Sequence, residues 1–152
     1  MHHIAILRKS NLKKGDNLLG DILAGTKTIE SRWYVNRVAP WNKITKGDTV
    51  YFKESGEKVT AKASVSKVLQ YENLIYEKAK EIIEQYGKKI APSETEEEWL
   101  NWIKENNKKR YCILVFLRDV EEIEPFAIDK TGYGSACAWM VMKNIDKVKK
   151  DS

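Results

Sequence analysis

The spacing of apolar residues along the chain predicts a short helix followed by an extended strand near the N-terminus. Leucine and isoleucine residues between positions 18 and 23 recur at helical spacing, so they form one apolar face. Gly25 stands where a left-handed C-terminal cap would end this helix. The residues from Thr28 to Tyr34 include β-branched and aromatic side chains, which favour a strand. A preceding strand is predicted at residues 4–7.

Further strands are predicted downstream from two kinds of pattern. Residues 49–53 and 59–66 read as strands joined by a turn, and apolar and polar residues alternate in the second of them, as in a half-buried strand. Residues 111–117 are apolar at nearly every position, which predicts a central strand covered on both faces. Residues 138–142 follow a glycine-rich segment and are predicted to form the closing strand.

A helical insert is predicted over about residues 73–107. Asn73 can cap a first helix, whose apolar stripe runs to Gly87. A second helix can start at Ser93 or at Thr95, because each is followed three residues later by a glutamate in the capping-box pattern. The sequence leaves both starting points open.

The order of these elements predicts an α+β fold in a single domain over residues 1–152. Strands interrupted by two adjacent helices, rather than alternating with helices, favour a partly closed β-barrel with flanking helices. The length of 152 residues is sufficient for a buried core. No apolar run approaches the roughly 20 residues of a membrane span, so we expect no membrane partner and a cytoplasmic location.

The charge balance favours a polyanionic partner. The formal net charge is +5, and binding to phosphates would release counterions. Four lysines lie in loops close in sequence to the predicted helix and strand, whereas an acidic run lies at residues 94–98. These lysines are Lys13, Lys14, Lys43 and Lys46. A lysine-rich surface that serves only solubility would have the same composition.

Three charged residues follow the predicted helix at close spacing: Lys27, Glu30 and Arg32. On a strand, Glu30 and Arg32 project from the same face, roughly 6.5–7 Å apart. One interpretation is a salt-bridge network that attaches the helix to the barrel. The other is a binding site, in which the lysine and arginine donate to phosphate or base acceptors and the glutamate orients them.

Aromatic residues near these charges are candidates for stacking on nucleobases. Trp33 and Tyr34 continue the predicted strand, and Trp41 lies in the loop after it. Stacking contributes about 1–3 kcal/mol per base, so one exposed ring could anchor a single-stranded ligand. Trp99 and Trp102 lie among apolar helix positions, and we interpret them as packing residues.

The sequence indicates no metal site and no cofactor. The histidines, His2 and His3, are adjacent near the N-terminus, and the two cysteines, Cys112 and Cys137, are 25 positions apart. Neither arrangement has the spacing of a zinc site. We expect both cysteines to be buried reduced thiols. Catalysis by a histidine in a nucleophilic triad is not predicted, because no histidine lies elsewhere in the chain.

Gly25, Lys27, Glu30 and Arg32 match the G-x-K-x-x-E-x-R signature of the ASCH domain, a member of the PUA-like superfamily of small β-barrels. The resemblance covers about residues 4–142. It implies recognition of RNA, other single-stranded nucleic acid or a modified nucleoside in a cleft beside the motif. The candidate ligand-binding residues are then Gly25, Lys27, Glu30, Arg32, Trp33, Tyr34, Trp41 and Ser135.

The same resemblance implies an enzymatic alternative. Some ASCH proteins are amidohydrolases that deacetylate N4-acetylcytidine with the motif lysine as base and a threonine three residues later as nucleophile, and ribonuclease activity is ascribed to others. Lys27 matches the lysine, but Glu30 stands in the threonine's place. If the protein is an enzyme, Lys27 and Glu30 are therefore the catalytic candidates, with the glutamate as a base for water. A third alternative is a protein partner bound by the helical insert.

Overall fold

Six strands form one curled sheet in the computed structural model, which describes residues 1–8 and 17–150. Lys13 and Lys14 lie outside the described residues. In chain order the elements are β1 (His2–Leu7), α1 (Leu18–Ala24), β2 (Ile29–Tyr34), β3 (Thr49–Glu54), β4 (Val59–Tyr71), α2 (Tyr76–Ile90), α3 (Glu96–Glu105), β5 (Tyr111–Phe126), β6 (Trp139–Met142) and a final 3₁₀ turn (Ile145–Lys147).

The sheet curls into a half-barrel whose two edges are β2 and β6. The strand order is β2-β5-β4-β3-β1-β6, and every pair is antiparallel except β1 with β3. Helix α1 packs Ile22 into the apolar interior of the curl. The predicted α+β fold with a partly closed barrel is confirmed.

Strand β5 is buried on both faces in its first half, as its continuous apolar run predicts. Ile113, Val115 and Leu117 face the interior of the half-barrel. Cys112 and Leu114 alternate with them and face the outer side, where the helices pack. Ile113 and Val115 are completely buried, in agreement with the prediction.

The helical insert covers the outer face of β2 and β5, but its first helix differs from the predicted one. Asn73 does not cap α2: it adopts a left-handed conformation, with φ of 54°, and the helix begins at Tyr76 without a side-chain cap. The helix also continues through Gly87 to Ile90. A Cβ atom on Gly87 would lie 3.2 Å from the indole nitrogen of Trp99, so this glycine allows close approach of α3 rather than ending α2.

The second helix begins as one of the two capping-box patterns predicts. The Thr95 hydroxyl accepts a hydrogen bond from the Glu98 amide at 3.1 Å, and the Glu98 carboxylate accepts one from the Thr95 amide at 3.2 Å. Trp99 and Trp102 are half-buried and pack in the outer apolar cluster, as interpreted from their positions. None of the helices within the described ranges is both long and apolar enough to cross a membrane.

We predict that Gly25→Ala lowers the free energy of unfolding by about 1 kcal/mol. Gly25 ends α1 in the left-handed conformation, with φ of 80°, as predicted. Nothing lies within 4 Å of a Cβ atom built on it, so the loss would come from the backbone conformation alone. Urea denaturation measures the change. Gly25→Asn, which tolerates this conformation better, should lose less, and equal stability of Gly25→Ala and the wild type would contradict the prediction.

Candidate functional site

The turn after α1 carries Lys27 into the interior. The amides of Thr26 and Lys27 both donate to the Asp21 carbonyl at 3.0 Å, which fixes the turn. The Lys27 side chain is only 1% exposed, and its Nζ donates to the carbonyls of Ile29 at 2.7 Å and Ile90 at 2.6 Å. Burial lowers the pKa of the Lys27 amine, and the neighbouring carboxylate of Glu30 opposes this effect. These contacts join the turn to the end of α2.

Glu30 lies between two cations. Its Oε1 is 3.6 Å from Lys27 Nζ and accepts a hydrogen bond from the Ser31 amide at 3.0 Å. Its Oε2 is 3.9 Å from Arg32 Nη2 and has no hydrogen-bond partner within the described part of the chain. The carboxylate is buried, so its charge is balanced by the adjacent lysine and arginine rather than by solvent.

Arg32 bridges the two edges of the sheet. From the edge strand β2, its Nη1 donates to the Ala138 carbonyl at 3.3 Å and its Nη2 donates to the Ile6 carbonyl at 3.2 Å. The guanidinium carbon also lies 5.2 Å from the ring centroid of Trp139. The structure thus brings Lys27, Glu30 and Arg32 together in the predicted network, with contacts that close the half-barrel.

The two aromatic residues that end β2 point in opposite directions. Trp33 faces the helices: its ring is 8% exposed and lies edge-to-face with Trp102, with centroids 5.4 Å apart. Tyr34 faces the interior side of the sheet and is half-buried, and burial raises the pKa of its hydroxyl against the effect of the Arg32 charge. Of the two stacking candidates on the strand, only Tyr34 lies on the same face as Glu30 and Arg32.

A cluster of aromatic rings and one arginine lies where β2 ends. Tyr34 pairs with Tyr111 across the β2–β5 ladder, and Trp41 lies edge-to-face with Tyr111 at 5.1 Å. The exposed guanidinium of Arg37 lies 5.4 Å from the Tyr111 ring centroid and 6.0 Å from that of Trp41. It also forms an ion pair with Glu72 at 2.9 Å. We call Tyr34, Arg37, Trp41 and Tyr111 the strand-end cluster.

Trp41 is held in place by a pinned loop. The Asn42 amide donates to Gln70 Oε1 at 2.7 Å, and Gln70 Nε2 donates to Asn42 Oδ1 at 2.8 Å. The Trp41 amide donates to the Val38 carbonyl at 2.9 Å. Two hydrogen bonds between Asn42 and Gln70 therefore attach the loop to β4. The indole ring of Trp41 is thus already in position in the absence of a ligand.

Cationic residues flank the strand-end cluster. The backbone amide of Arg110 donates to the Tyr34 carbonyl at 2.8 Å, and Lys109 Nζ donates to the Trp33 carbonyl at 3.0 Å. Burial lowers the pKa of Lys109, and the charge of Arg8 lowers it further. The predicted basic loop residues Lys43 and Lys46 are both exposed.

Ser135 is exposed in the glycine-rich loop before β6. Its hydrogen bond is to a residue outside the motif. Its carbonyl accepts a hydrogen bond from Lys130 Nζ at 3.1 Å. Lys130 Nζ also donates to the Cys137 carbonyl at 2.9 Å, so the lysine holds the loop closed. The segment after this loop contacts the motif at Ala138, whose carbonyl accepts a hydrogen bond from Arg32.

His3 forms a buried polar network that the sequence analysis missed. Its Nε2 lies 2.8 Å from Asp48 Oδ2, and its Nδ1 accepts a hydrogen bond from Trp139 Nε1 at 3.0 Å. Because Nδ1 is an acceptor, the ring is neutral with its proton on Nε2. Burial lowers the pKa of His3 in spite of the adjacent carboxylate. The position of His3 in an apolar strand was the feature of the sequence that could have indicated its burial.

The cysteines differ in burial. Cys112 is buried as predicted, and burial raises the pKa of its thiol, whereas Cys137 is only half-buried. Both are free thiols. Within residues 1–8 and 17–150, no group of three or more histidine, cysteine, aspartate or glutamate side chains could hold a metal ion.

Comparison with known proteins identifies the fold. No protein-family model matches this chain, and no curated protein matches it. The solved structure of ASCH from Zymomonas mobilis is similar to it, with a TM-score of 0.65 and 14% identity over 96% of this chain and 90% of that one. The N-terminal domain of McrB from Staphylothermus marinus is also similar, with a TM-score of 0.58 and 10% identity over 96% and 90% of the two chains. The chain has the ASCH-domain fold, as the motif implied.

We predict that the protein loses stability as the pH falls below about 6.5, because His3 stays neutral when folded but gains a proton when unfolded. The slope attributable to this one residue approaches about 1.4 kcal/mol per pH unit. Urea denaturation between pH 7.5 and 5.5 measures it. His3→Gln keeps an amide donor and acceptor without a titrating ring, so the variant should lose this slope. An unchanged slope in the variant would show that other groups carry the pH dependence.

Proposed function

We propose that this protein binds RNA or single-stranded nucleic acid through the strand-end cluster. The observation that carries the proposal is an exposed arginine held near two half-buried aromatic rings, Trp41 on a loop attached to β4 and Tyr111 at the start of β5. Aromatic rings stack on bases of any sequence, and arginine adds charge and planar contact to the phosphate backbone. The surface therefore offers both groups that single-stranded ligands require.

The surrounding charge supports the same proposal. Lys109 and Arg110 donate to the carbonyls of Trp33 and Tyr34 at the end of β2, and the net charge of the chain is +5. Arg37 is paired with Glu72 across an exposed surface, where ion pairs contribute little. A phosphate of the ligand can therefore replace the Glu72 carboxylate as the partner of Arg37 at a small cost in free energy. The ASCH-domain fold agrees with this function, because the motif resemblance implies nucleic-acid recognition.

The hydrolase alternative has less support in the geometry. Lys27 Nζ and Glu30 Oε1 are close enough to act together, at 3.6 Å. However, both side chains are buried, and Lys27 donates to two backbone carbonyls. Deacetylation of N4-acetylcytidine by this pair would require a substrate to reach two side chains that are almost completely buried. We therefore base the proposal on the exposed surface and not on the motif charges.

We predict that a labelled single-stranded RNA oligonucleotide binds the protein with strong salt dependence. The logarithm of the association constant should fall linearly with the logarithm of salt concentration, by about 0.7 for each phosphate contacted. Arg37→Ala should reduce this slope by about 0.7 and weaken binding at low salt. Trp41→Leu should weaken binding roughly tenfold with little change in slope, because it removes stacking and not charge.

Arg118→Ala is the matched control for this titration. Arg118 is an exposed arginine seven positions along β5 from Tyr111, and it lies near Asp119 as Arg37 lies near Glu72. Its removal changes the net charge by the same amount and should leave the slope nearly unchanged. Equal effects of the two arginine variants, or no binding at low salt, would reject the strand-end cluster as the interface.

A further inference from the structure

An apolar cavity of about 410 Å³ opens between the start of α2 and the end of α3, on the outer face of β2. Its walls are the rings of Trp33 and Trp102 and the aliphatic side chains of Leu74, Ala79 and Ile103. This volume is within the range of small-molecule sites, which are mostly apolar with a few polar groups at one side. We call it the interhelical cavity.

The entrance of the interhelical cavity is positively charged. Lys104, Lys109 and Arg110 contribute to its lining, and Lys104 and Arg110 are exposed to solvent. No carboxylate of the described residues lies within salt-bridge distance of the three cations. Lys109 and Arg110 donate to backbone carbonyls instead.

The rim also exposes apolar surface that a ligand would cover. Ile75 is 63% exposed and Tyr76 is 39% exposed, and both line the cavity at the first turn of α2. Large apolar side chains this exposed are few among the described residues, and these two are adjacent. A ligand in the cavity would remove them from water together with the edges of the two tryptophan rings.

We propose that the interhelical cavity is a binding site for a small planar aromatic molecule that carries a negative charge. The flat apolar body would lie against Trp33 and Trp102, and the anionic group would lie at the entrance, near Lys104 and Arg110. The aromatic residues of this site are separate from those of the proposed nucleic-acid surface, because Trp33 and Tyr34 point to opposite faces of β2, although Lys109 and Arg110 adjoin both. Either proposal can fail without the other.

The probe for this site is 1-anilinonaphthalene-8-sulfonate, an aromatic anion with a planar naphthalene ring. We expect saturable binding with one molecule per chain, accompanied by quenching of tryptophan fluorescence. N-phenyl-1-naphthylamine has the same ring system without the sulfonate, and it should bind at least tenfold more weakly. The probe signal should disappear in urea with the same midpoint as the circular dichroism, since a signal from partly unfolded chains would peak within the transition.

Three substitutions and the comparison of the two probes decide the proposal. Ala79→Met fills the cavity and should weaken the sulfonate probe at least tenfold. Lys104→Met should weaken it about three- to tenfold, whereas Lys108→Met should change it less than twofold, because Lys108 is exposed but does not line the cavity. If Ala79→Met does not fold, the two lysine variants and the neutral probe still test the site. Equal binding of the two probes, equal effects of the lysine variants, or no saturable binding would overturn the proposal.

Discussion

The charge network of buried Lys27 and Glu30 with the partly exposed Arg32 holds the half-barrel closed, and the rest of the fold depends on this contact. A curled sheet that stops at six strands leaves two unpaired edges, here β2 and β6. Backbone pairing does not join them; the guanidinium of Arg32 spans the gap to the carbonyls of Ile6 and Ala138. Glu30 balances that charge, and Lys27 extends the network to the end of α2. Buried charges need this degree of mutual pairing to be tolerated.

The burial of Lys27 and Glu30 is the reason that both proposed binding sites lie elsewhere. The proposed sites use polar groups at the end of β2 and on the helical insert instead. Because side chains alternate along β2, neighbouring residues of this strand face opposite sides of the sheet. Tyr34 emerges beside Trp41 and Tyr111 on the inner side, whereas Trp33 joins Trp102 in the wall of the interhelical cavity. One short strand thus contributes to two separate surfaces.

The sequence predicts the elements well because local patterns determine them. The helix that ends at Gly25 and the doubly buried start of β5 follow from spacing alone, and the capping box at Thr95 is one of the two helix starts that spacing left open. The prediction fails where distant residues decide. Lys27 donates to the carbonyl of Ile90, which is 63 positions away along the chain. The buried network of His3 is formed with Asp48 and Trp139, which are 45 and 136 positions away. Gly87 was predicted to end α2, but it lies inside the helix, where it allows close packing against Trp99 of α3. The pattern around Gly87 could not show this, because Trp99 belongs to another helix.

The most direct test of this account compares stability and binding in Lys27→Met, which removes the buried charge but keeps much of the side-chain length. Loss of one partner from a buried charge network costs about 3–5 kcal/mol, so urea denaturation should show a large fall in the free energy of unfolding. Where circular dichroism shows that the variant is folded, its dissociation constant for the single-stranded RNA oligonucleotide should change less than twofold. A variant as stable as the wild type that no longer binds the oligonucleotide would contradict the account, because Lys27 would then act on the ligand rather than on the barrel.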